Sequence, residues 1–219
     1  IMNFILLKHG DKYSAEYVNI LAYRLRLTTP GINQICVYTD NADSIDEHLD
    51  IDVRMLPALD EPLWGWWWKP WIVAHHEAGE NIFVDLDMLI VGDMSVFCPK
   101  DMDIRLLNGR GPKINSSIIS WREPVTAPWQ ELMQNRSFHV NQPNPWGDQE
   151  VFEVCRARGD IIWDKHDSRF VGWLGRKDQI QSGENINEDC RVIVCKGPRT
   201  PHENLQNPYV EKYWSKSRN

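Results

Sequence analysis

The sequence predicts an α/β protein whose N-terminal half forms a parallel sheet. Residues 3–8 and 34–38 are apolar runs with the length of buried strands, and residues 14–27 between them place apolar side chains at helical spacing. A strand, a helix and a second strand in this order form parallel strands joined by a helical crossover. The chain has 219 residues, which suits a single domain with a substantial core.

The remaining elements follow from apolar runs and from residues that start or stop helices. Ser14 is a good N-cap for the first helix, and the Thr-Pro-Gly sequence at residues 29–31 ends it. Pro70 is placed to start a second helix that runs to about Gly79, because proline suits the first helical turn. Further strands are predicted at 53–56, 81–85, 104–107, 114–121 and 192–195, and a further helix at 147–158.

Composition and charge exclude several classes of protein. Aromatic residues make up 11% of the chain and hydrophobic residues 42%, which predicts a globular rather than a disordered protein. There is no run of about 18 apolar residues to form a membrane span, and the chain starts with a strand rather than a secretory signal. Residues 1–104 carry a formal charge of −10 and residues 105–219 carry +3, which does not fit a general nucleic-acid scaffold.

The five cysteines are scattered along the chain and include no Cys-x-x-Cys pair. We therefore expect reduced thiols and a reducing compartment, which predicts a cytoplasmic protein. Nothing in the sequence specifies an oligomeric state.

Two carboxylates follow the predicted strand 81–85, in the sequence Asp85-Leu86-Asp87. Ligands of open α/β sheets bind beyond the carboxyl ends of the strands. Oxygen ligands are those that Mg²⁺ and Mn²⁺ prefer, and such ions often bind substrate phosphates as well. The position and the chemistry both favour a metal–diphosphate site, and the alternative is a pair of solvated acids at a strand end.

The segment 64–71 contains five tryptophans around Lys69. Aromatic faces stack on sugar rings and bases, and a lysine can neutralise a phosphate. The alternative is core packing, and we expect at least two of these indoles to be part of the core.

Three further segments carry polar residues where chemistry is possible. Asn115, Ser116 and Ser117 lie within an apolar strand, so they need backbone partners or the hydroxyls of a bound polyol. Asp148 begins a predicted helix, where an N-cap is the alternative to a functional role. The loop 196–202 carries two cations and a histidine, which would suit a diphosphate.

In chain order, these segments resemble glycosyltransferases of the GT-A fold, most closely the glycogenin-like family 8 group and its bacterial and phage relatives. Residues 65–97 resemble the lysine segment, the Asp-x-Asp strand and the Gly-Asp-x-x-x-Phe turn of that group. Residues 114–121 resemble its Phe-Asn-Ser segment, residues 147–152 its Asp-Gln helix start, and residues 192–203 its closing segment. The resemblance covers most of residues 3–205.

The resemblance implies an α/β GT-A (Rossmann-like) nucleotide-sugar transferase fold, with a mixed central sheet flanked by helices. It implies a single catalytic domain over residues 1–219. Within it, the nucleotide-binding part would span about 1–90, the acceptor-binding part about 91–205, and a C-terminal helix about 205–216.

The resemblance also implies an activity. A sugar would pass from a nucleoside-diphosphate sugar, a UDP-sugar, to an acceptor hydroxyl with retention of the anomeric configuration, with Mn²⁺ or Mg²⁺ as cofactor. The acceptor would be a glycan or, in a phage enzyme, a hydroxymethylated DNA base; a lipid-linked sugar and a protein side chain are further alternatives. The location would be the cytosol of a bacterium or of a phage-infected host.

The resemblance assigns roles to the matched residues. Asp85 and Asp87 would bind the metal, and Lys69, Asn115 and Asp148 would line the reaction centre. The donor would be bound by His9, Gly10, Asp40, Asp85, Ser116, Lys196, Gly197 and Arg199.

One position departs from the family. Lys196 stands where the group has a histidine that binds the metal. An ammonium cannot bind a metal, but it can neutralise the same phosphates. The resemblance therefore leaves two possibilities: a weaker metal site, or His202 as the substitute ligand.

Two other functions fit parts of the sequence. Haloacid-dehalogenase-like phosphatases also use an Asp-x-Asp after an apolar strand, but on the first strand and with a second acidic pair on a later strand; here no Asp-Asp follows. A non-enzymatic sugar- or nucleic-acid-binding module would use the tryptophans of segment 64–71, but it would not need Asp85 and Asp87. If the protein bound DNA, the cations of residues 105–219 would contact the phosphates. The alternative is that these cations are solvated surface charges.

Overall fold

A computed structural model of the chain describes residues 2–109, 113–141, 147–175, 186–195 and 200–214. The described residues form a mixed seven-stranded sheet and a smaller three-stranded sheet. The strands are β1 (Met2–Lys8), β2 (Ile32–Thr39), β3 (Ile51–Met55), β4 (Glu80–Val84), β5 (Met88–Ile90), β6 (Ile104–Asn108), β7 (Ile114–Trp121), β8 (Trp163–Lys165), β9 (Val171–Leu174) and β10 (Val192–Cys195).

The large sheet has the order β3-β2-β1-β4-β7-β6-β8. The first four strands in this order are parallel, as the strand–helix–strand pattern predicts, while β7 is antiparallel to both β4 and β6. The predicted mixed central sheet is thus confirmed. The strands β1 and β4 are near-continuous apolar runs because layers of structure cover both faces of the sheet.

Helices and the small sheet form the two covering layers. One buried cluster lies between the large sheet, the first helix and the small sheet of β5, β10 and β9. The other lies between the large sheet and the second, third and fifth helices. The helices are α1 (Ala15–Thr28), α2 (Lys69–His75), α3 (Ala127–Gln134), α4 (Arg136–Val140), α5 (Asp148–Arg158) and α6 (Pro208–Tyr213).

Helix α2 ends four residues before the predicted boundary at Gly79. His76 has extended backbone angles, and its side chain is buried with its Nδ1 3.0 Å from the hydroxyl of Tyr38. The chain therefore leaves the helix to place His76 in the core and to enter β4.

A C-terminal helix, α6, lies inside the predicted range of about 205–216 and is shorter than predicted. A separate 3₁₀ turn at Pro201–Asn204 precedes it. The side chain of Asn207 accepts hydrogen bonds from the backbone N–H groups of Tyr209 and Val210, and Pro208 occupies the first helical turn. An N-cap followed by proline starts a new helix and cannot continue an old one.

Several short elements were not predicted. These include α3 and α4, and the three-residue strands β5 and β8, which are too short for a clear periodic pattern. None of the helices in the described ranges is both long and apolar enough to cross a membrane.

The different burial of Phe4 and Leu27 predicts a large difference in stability between their alanine variants. Phe4 in β1 is fully buried, so Phe4→Ala should lower the free energy of unfolding by about 3–5 kcal/mol through lost burial and a cavity. Leu27 at the end of α1 is 57% exposed, and Leu27→Ala should change it by less than about 0.5 kcal/mol. Urea denaturation of both variants measures this, and equal losses would contradict the described core.

Candidate active site

A cleft of about 880 Å³ opens beside the carboxyl ends of β1 and β4. We call it the central cleft. Six of the residues predicted to form the site line it, together with Tyr13 and several tryptophans of segment 64–71. The six are His9, Gly10, Lys69, Asp85, Asp87 and Asp148.

An irregularity in β7 shapes the floor of the site. The pairing between β6 and β7 shifts register between Leu106 and Leu107, so residues 116–118 have no direct partner on β6. The backbone N–H of Asp85 donates to the carbonyl of Ser117 across 2.9 Å. The bulge therefore ties the end of β4 to the polar part of β7, and it redirects Ser116 toward Lys69.

Lys69 is a buried cation held between two carboxylates. Its Nζ lies 2.8 Å from Asp85 Oδ1 and 3.8 Å from Asp148 Oδ2, and it also donates to the carbonyl of Ser116 at 3.2 Å. Burial by itself would lower the pKa of the Lys69 ammonium, but the charges of Asp148 and Asp85 outweigh it and raise the pKa above its ordinary value. Lys69 therefore remains charged.

Asp148 occupies the first position of α5, and its predicted alternative role as the N-cap is wrong. The N-cap is Gly147, whose φ of +77° favours glycine. A Cβ at Gly147 would lie 2.9 Å from the indole nitrogen of Trp66, so this position also needs a residue without a side chain. The carboxylate of Asp148 is thereby directed into the protein, where it is buried.

Burial changes the chemistry of the Asp148 carboxyl. It raises the pKa of Asp148 to about 6, although the charge of Lys69 and a hydrogen bond from Ser116 act in the opposite direction. Asp148 Oδ2 has no hydrogen-bond donor among the described residues. It is an acceptor that a hydroxyl group in the central cleft could satisfy.

Asp87 is held by a residue that the sequence analysis missed. The hydroxyl of Tyr13 donates to Asp87 Oδ2 across 2.7 Å. Burial and the nearby charge of Asp85 raise the pKa of Asp87 above its ordinary value. Tyr13 follows β1 in the same loop as His9 and Gly10, and this position at a strand end is the signal that could have identified it.

The carboxylates of Asp85 and Asp87 fit a hard divalent cation that shares its ligands with a phosphate. The second oxygen of each carboxylate has no donor among the described residues, so one oxygen from each is available. Within the described part of the chain, no three His, Cys, Asp or Glu side chains gather as a metal-binding group. Mg²⁺ is commonly bound by one or two carboxylates together with waters and substrate phosphates, and this donor set matches that pattern.

The loop after β1 brings together three predicted donor-binding residues. The backbone N–H of Gly10 donates to Asp40 Oδ2 at 2.9 Å, and Gly10 has a φ of +66° that glycine adopts readily. His9 accepts a hydrogen bond from the backbone N–H of Gly65 at 3.2 Å. His9 and Gly10 line the central cleft, and Asp40 supports the loop from outside its lining.

Four predicted residues of the described ranges lie outside the lining of the central cleft, namely Asp40, Asn115, Ser116 and His202. The Asn115 side chain accepts from the backbone N–H of Ser117 at 2.9 Å, so it stabilises the β7 bulge. His202 contacts the hydroxyls of Tyr17 and Thr200 and does not gather with Asp85 and Asp87 as a metal-binding group. Lys196, Gly197 and Arg199 lie outside the described residues.

The tryptophans of segment 64–71 divide between the core and the surface. Trp67 and Trp68 are buried, which confirms the prediction that at least two of these indoles are part of the core. Trp64 is 72% exposed, and Trp66 is 45% exposed beside Gly147.

Solved structures identify the fold. The galactosyltransferase LgtC in complex with donor and acceptor sugar analogs aligns with a TM-score of 0.66 and 11% identity, over 97% of this chain and 94% of LgtC. This chain has the GT-A fold. Glycosyltransferase GlyE of Streptococcus pneumoniae TIGR4 aligns with a TM-score of 0.68 and 13% identity, over 96% of this chain and 59% of GlyE.

The similarity lies in the fold rather than in the sequence. No family model and no curated protein sequence matches this chain. The GT-A fold confirms the predicted fold class, and both neighbours are named as glycosyltransferases. The fold gives no support to the phosphatase alternative.

The buried cluster of charges predicts that a substitution of Lys69 changes the pKa of Asp148. Because Lys69 lowers the pKa of Asp148, Lys69→Met should raise that pKa further above about 6. Carbon-detected NMR titration of the Asp148 carboxyl in both proteins measures this. Lys212→Met, which removes a surface cation from α6, is the matched control and should leave the Asp148 titration unchanged. A lower pKa in Lys69→Met would contradict the described arrangement.

Proposed function

We propose that this protein is a metal-dependent glycosyltransferase that moves a sugar from a nucleoside-diphosphate sugar to an acceptor hydroxyl. The donor we propose is a UDP-sugar, and the transfer proceeds with retention of configuration, as the family resemblance implies. The observation that carries the proposal is the cluster of Lys69, Asp85, Asp87 and Asp148 in one cleft at the carboxyl ends of parallel strands. In this fold class, ligands bind at that edge of the sheet.

The size of the central cleft supports this class of substrate. Its volume of about 880 Å³ lies in the upper part of the range of small-molecule sites, which extends to about 1,000 Å³. A nucleotide sugar has a flat base, a charged diphosphate and a hydroxylated ring. The cleft offers a group for each of these three parts. Trp66 offers an exposed aromatic side chain to the base, and the carboxylates of Asp85 and Asp87 would serve the diphosphate through a cation. Asp148 offers a buried hydrogen-bond acceptor to the sugar ring.

The carboxylate pair would hold the cation that binds the diphosphate. A bound Mg²⁺ or Mn²⁺ neutralises the negative charge that develops on a diphosphate leaving group. Tyr13 orients Asp87 by donating to its Oδ2, and Lys69 orients Asp85 by pairing with its Oδ1. Each carboxylate therefore presents its second oxygen in a fixed direction.

Asp148 would act on the sugar. Its Oδ2 lacks a donor among the described residues and is buried, so a sugar hydroxyl that reaches it gains a strong hydrogen bond. A carboxylate at this place also stabilises positive charge on the sugar ring as the leaving group departs. The charge of Lys69 favours the ionised form of Asp148, because it lowers the pKa that burial raises to about 6.

The location we propose is the cytoplasm of a bacterial cell or a phage-infected host. The five cysteines are free thiols, which supports a reducing compartment. Nucleotide sugars as donors are consistent with the same compartment.

Substitution of a carboxylate tests the proposed metal site. Asp87→Asn removes one charged oxygen ligand and should lower transfer from a UDP-sugar by at least about 100-fold, since metal stabilisation of the leaving group contributes several kcal/mol. Release of UDP from UDP-glucose or UDP-galactose with Mn²⁺ measures this. Asp101→Asn, at a fully exposed carboxylate, is the matched control and should retain full turnover. Near-normal turnover of a folded Asp87→Asn would refute the proposed site.

Thermal unfolding gives a test that needs no acceptor. UDP and Mn²⁺ together should raise the melting temperature more than the sum of their separate effects, because the ion bridges protein and diphosphate. Binding to the native state at about 100 times the dissociation constant contributes about 2.7 kcal/mol. Uridine with Mn²⁺ is the control, since it lacks the diphosphate. If no nucleoside diphosphate stabilises the protein, the proposed function is wrong.

A further inference from the structure

A second cavity adjoins the central cleft. It has a volume of about 810 Å³ and lies between the segment before Trp64 and the helices α3 and α4. Trp64 lines both this cavity and the central cleft, as do Val140 and Asn141. We call it the Trp64 cavity. A chain of sugar rings with one end at the reaction centre would therefore extend into it.

Trp64 places an exposed aromatic side chain at this junction. The residue is 72% exposed, and backbone hydrogen bonds hold the main chain around it. The carbonyl of Trp64 accepts a hydrogen bond from the backbone N–H of Trp67 at 2.9 Å, and the backbone N–H of the next residue, Gly65, donates to His9 at 3.2 Å. An exposed indole can stack on a sugar, because the negative face of its ring attracts the C–H groups of a pyranose.

Arg136 reaches from α4 to the segment before Trp64 and supplies a polar group there. Its Nε pairs with Glu61 Oε2 at 2.8 Å, and its second terminal nitrogen donates to the carbonyl of Pro62 at 2.6 Å. These contacts fix the guanidinium against the segment before Trp64. The remaining nitrogen, NH1, is buried and has no acceptor among the described residues. Such a donor is satisfied by a neutral oxygen, and sugar hydroxyls and ring oxygens provide one.

The charges around the Trp64 cavity select among acceptors. Asp60 and Glu61 line it with Arg136 as the single cation in its described lining, which gives a formal charge of −1. We propose that the Trp64 cavity binds a neutral oligosaccharide. This inference rests on the proposed function, and it makes a glycan the acceptor. The sugar nearest the reaction centre stacks on Trp64, and a following sugar accepts a hydrogen bond from Arg136. A polyanion such as DNA would be repelled by the net negative charge of this lining, to which Asp60 contributes the carboxylate that Arg136 does not pair with.

Four arginines of the second half that could contact DNA phosphates already have other contacts. Three are engaged in ion pairs at 2.6–2.7 Å, namely Arg156 with Glu153, Arg158 with Glu131, and Arg169 with Asp167. The fourth, Arg105, is buried. A duplex would therefore have to compete with carboxylates for three of these arginines, and it cannot reach the fourth.

Direct binding measurements on the full chain test the proposal. The neutral probes are cellotetraose, maltotetraose and lacto-N-tetraose, and the anionic probes are a heparin tetrasaccharide and a short duplex with 5-hydroxymethylcytosine. Saturation-transfer NMR and calorimetry should detect at least one neutral probe and neither anionic probe. Trp64→Ala should weaken that binding by about tenfold, while Trp64→Phe should retain most of it. Phe138→Ala removes an exposed aromatic residue of α4 outside the cavity lining and should have no effect.

A measurement on the unmodified protein accompanies the variants. The indole N–H resonance of Trp64 should shift during titration with the neutral probe that binds. Tighter binding of the duplex, or glycan binding that Trp64→Ala leaves unchanged, would overturn the proposal. So would the absence of neutral glycan binding in a protein that UDP and Mn²⁺ stabilise, and the transferase function would then still stand. Glycan binding through Trp64 without any response to UDP would support the cavity and refute the transferase function.

Discussion

The buried ammonium of Lys69 is the constraint on which the rest of the site depends. A cation without partners in a protein interior is strongly unfavourable, so the fold must deliver compensating groups to it. It does so from three places: Asp85 after β4, Asp148 at the start of α5, and Ser116 in the β7 bulge. Removal of one carboxylate would leave part of the positive charge of Lys69 buried without a partner. The positions of β4, β7 and α5 relative to Lys69 therefore depend on one another.

The burial of Lys69 also explains how two neighbouring carboxylates can be held close together. Asp85 and Asp87 repel each other, and that repulsion contributes to the raised pKa of Asp87. Lys69 holds one carboxylate and Tyr13 holds the other, from opposite layers of the sheet. If the proposed metal site is correct, the two acids are held in place before a cation binds, which would lower the reorganisation that binding requires.

Local patterns were sufficient for the framework but not for the finer geometry. The strands β1, β2, β4 and β7 were predictable because each is a long apolar run, and the position of Asp85 and Asp87 followed from the end of β4. The β7 bulge, the pairing of Tyr13 with Asp87 and the Gly147 cap were not predictable. Each depends on a partner distant in the sequence, such as Asp87 for Tyr13 or Trp66 for Gly147. A single-sequence pattern carries no record of those pairings.

The contacts that build the site join parts of the chain that are far apart in sequence. Tyr13 and Asp87 are separated by 74 positions, and Lys69 and Ser116 by 47. Contacts of this kind require long loops to close, which costs conformational entropy, so we expect the site to be completed late in folding. A fragment that ends before α5 would bury Lys69 without Asp148, and one that begins after β1 would lack Tyr13. The cluster therefore needs the whole stretch from Tyr13 to Asp148, and no peptide that lacks either end of this stretch can form it.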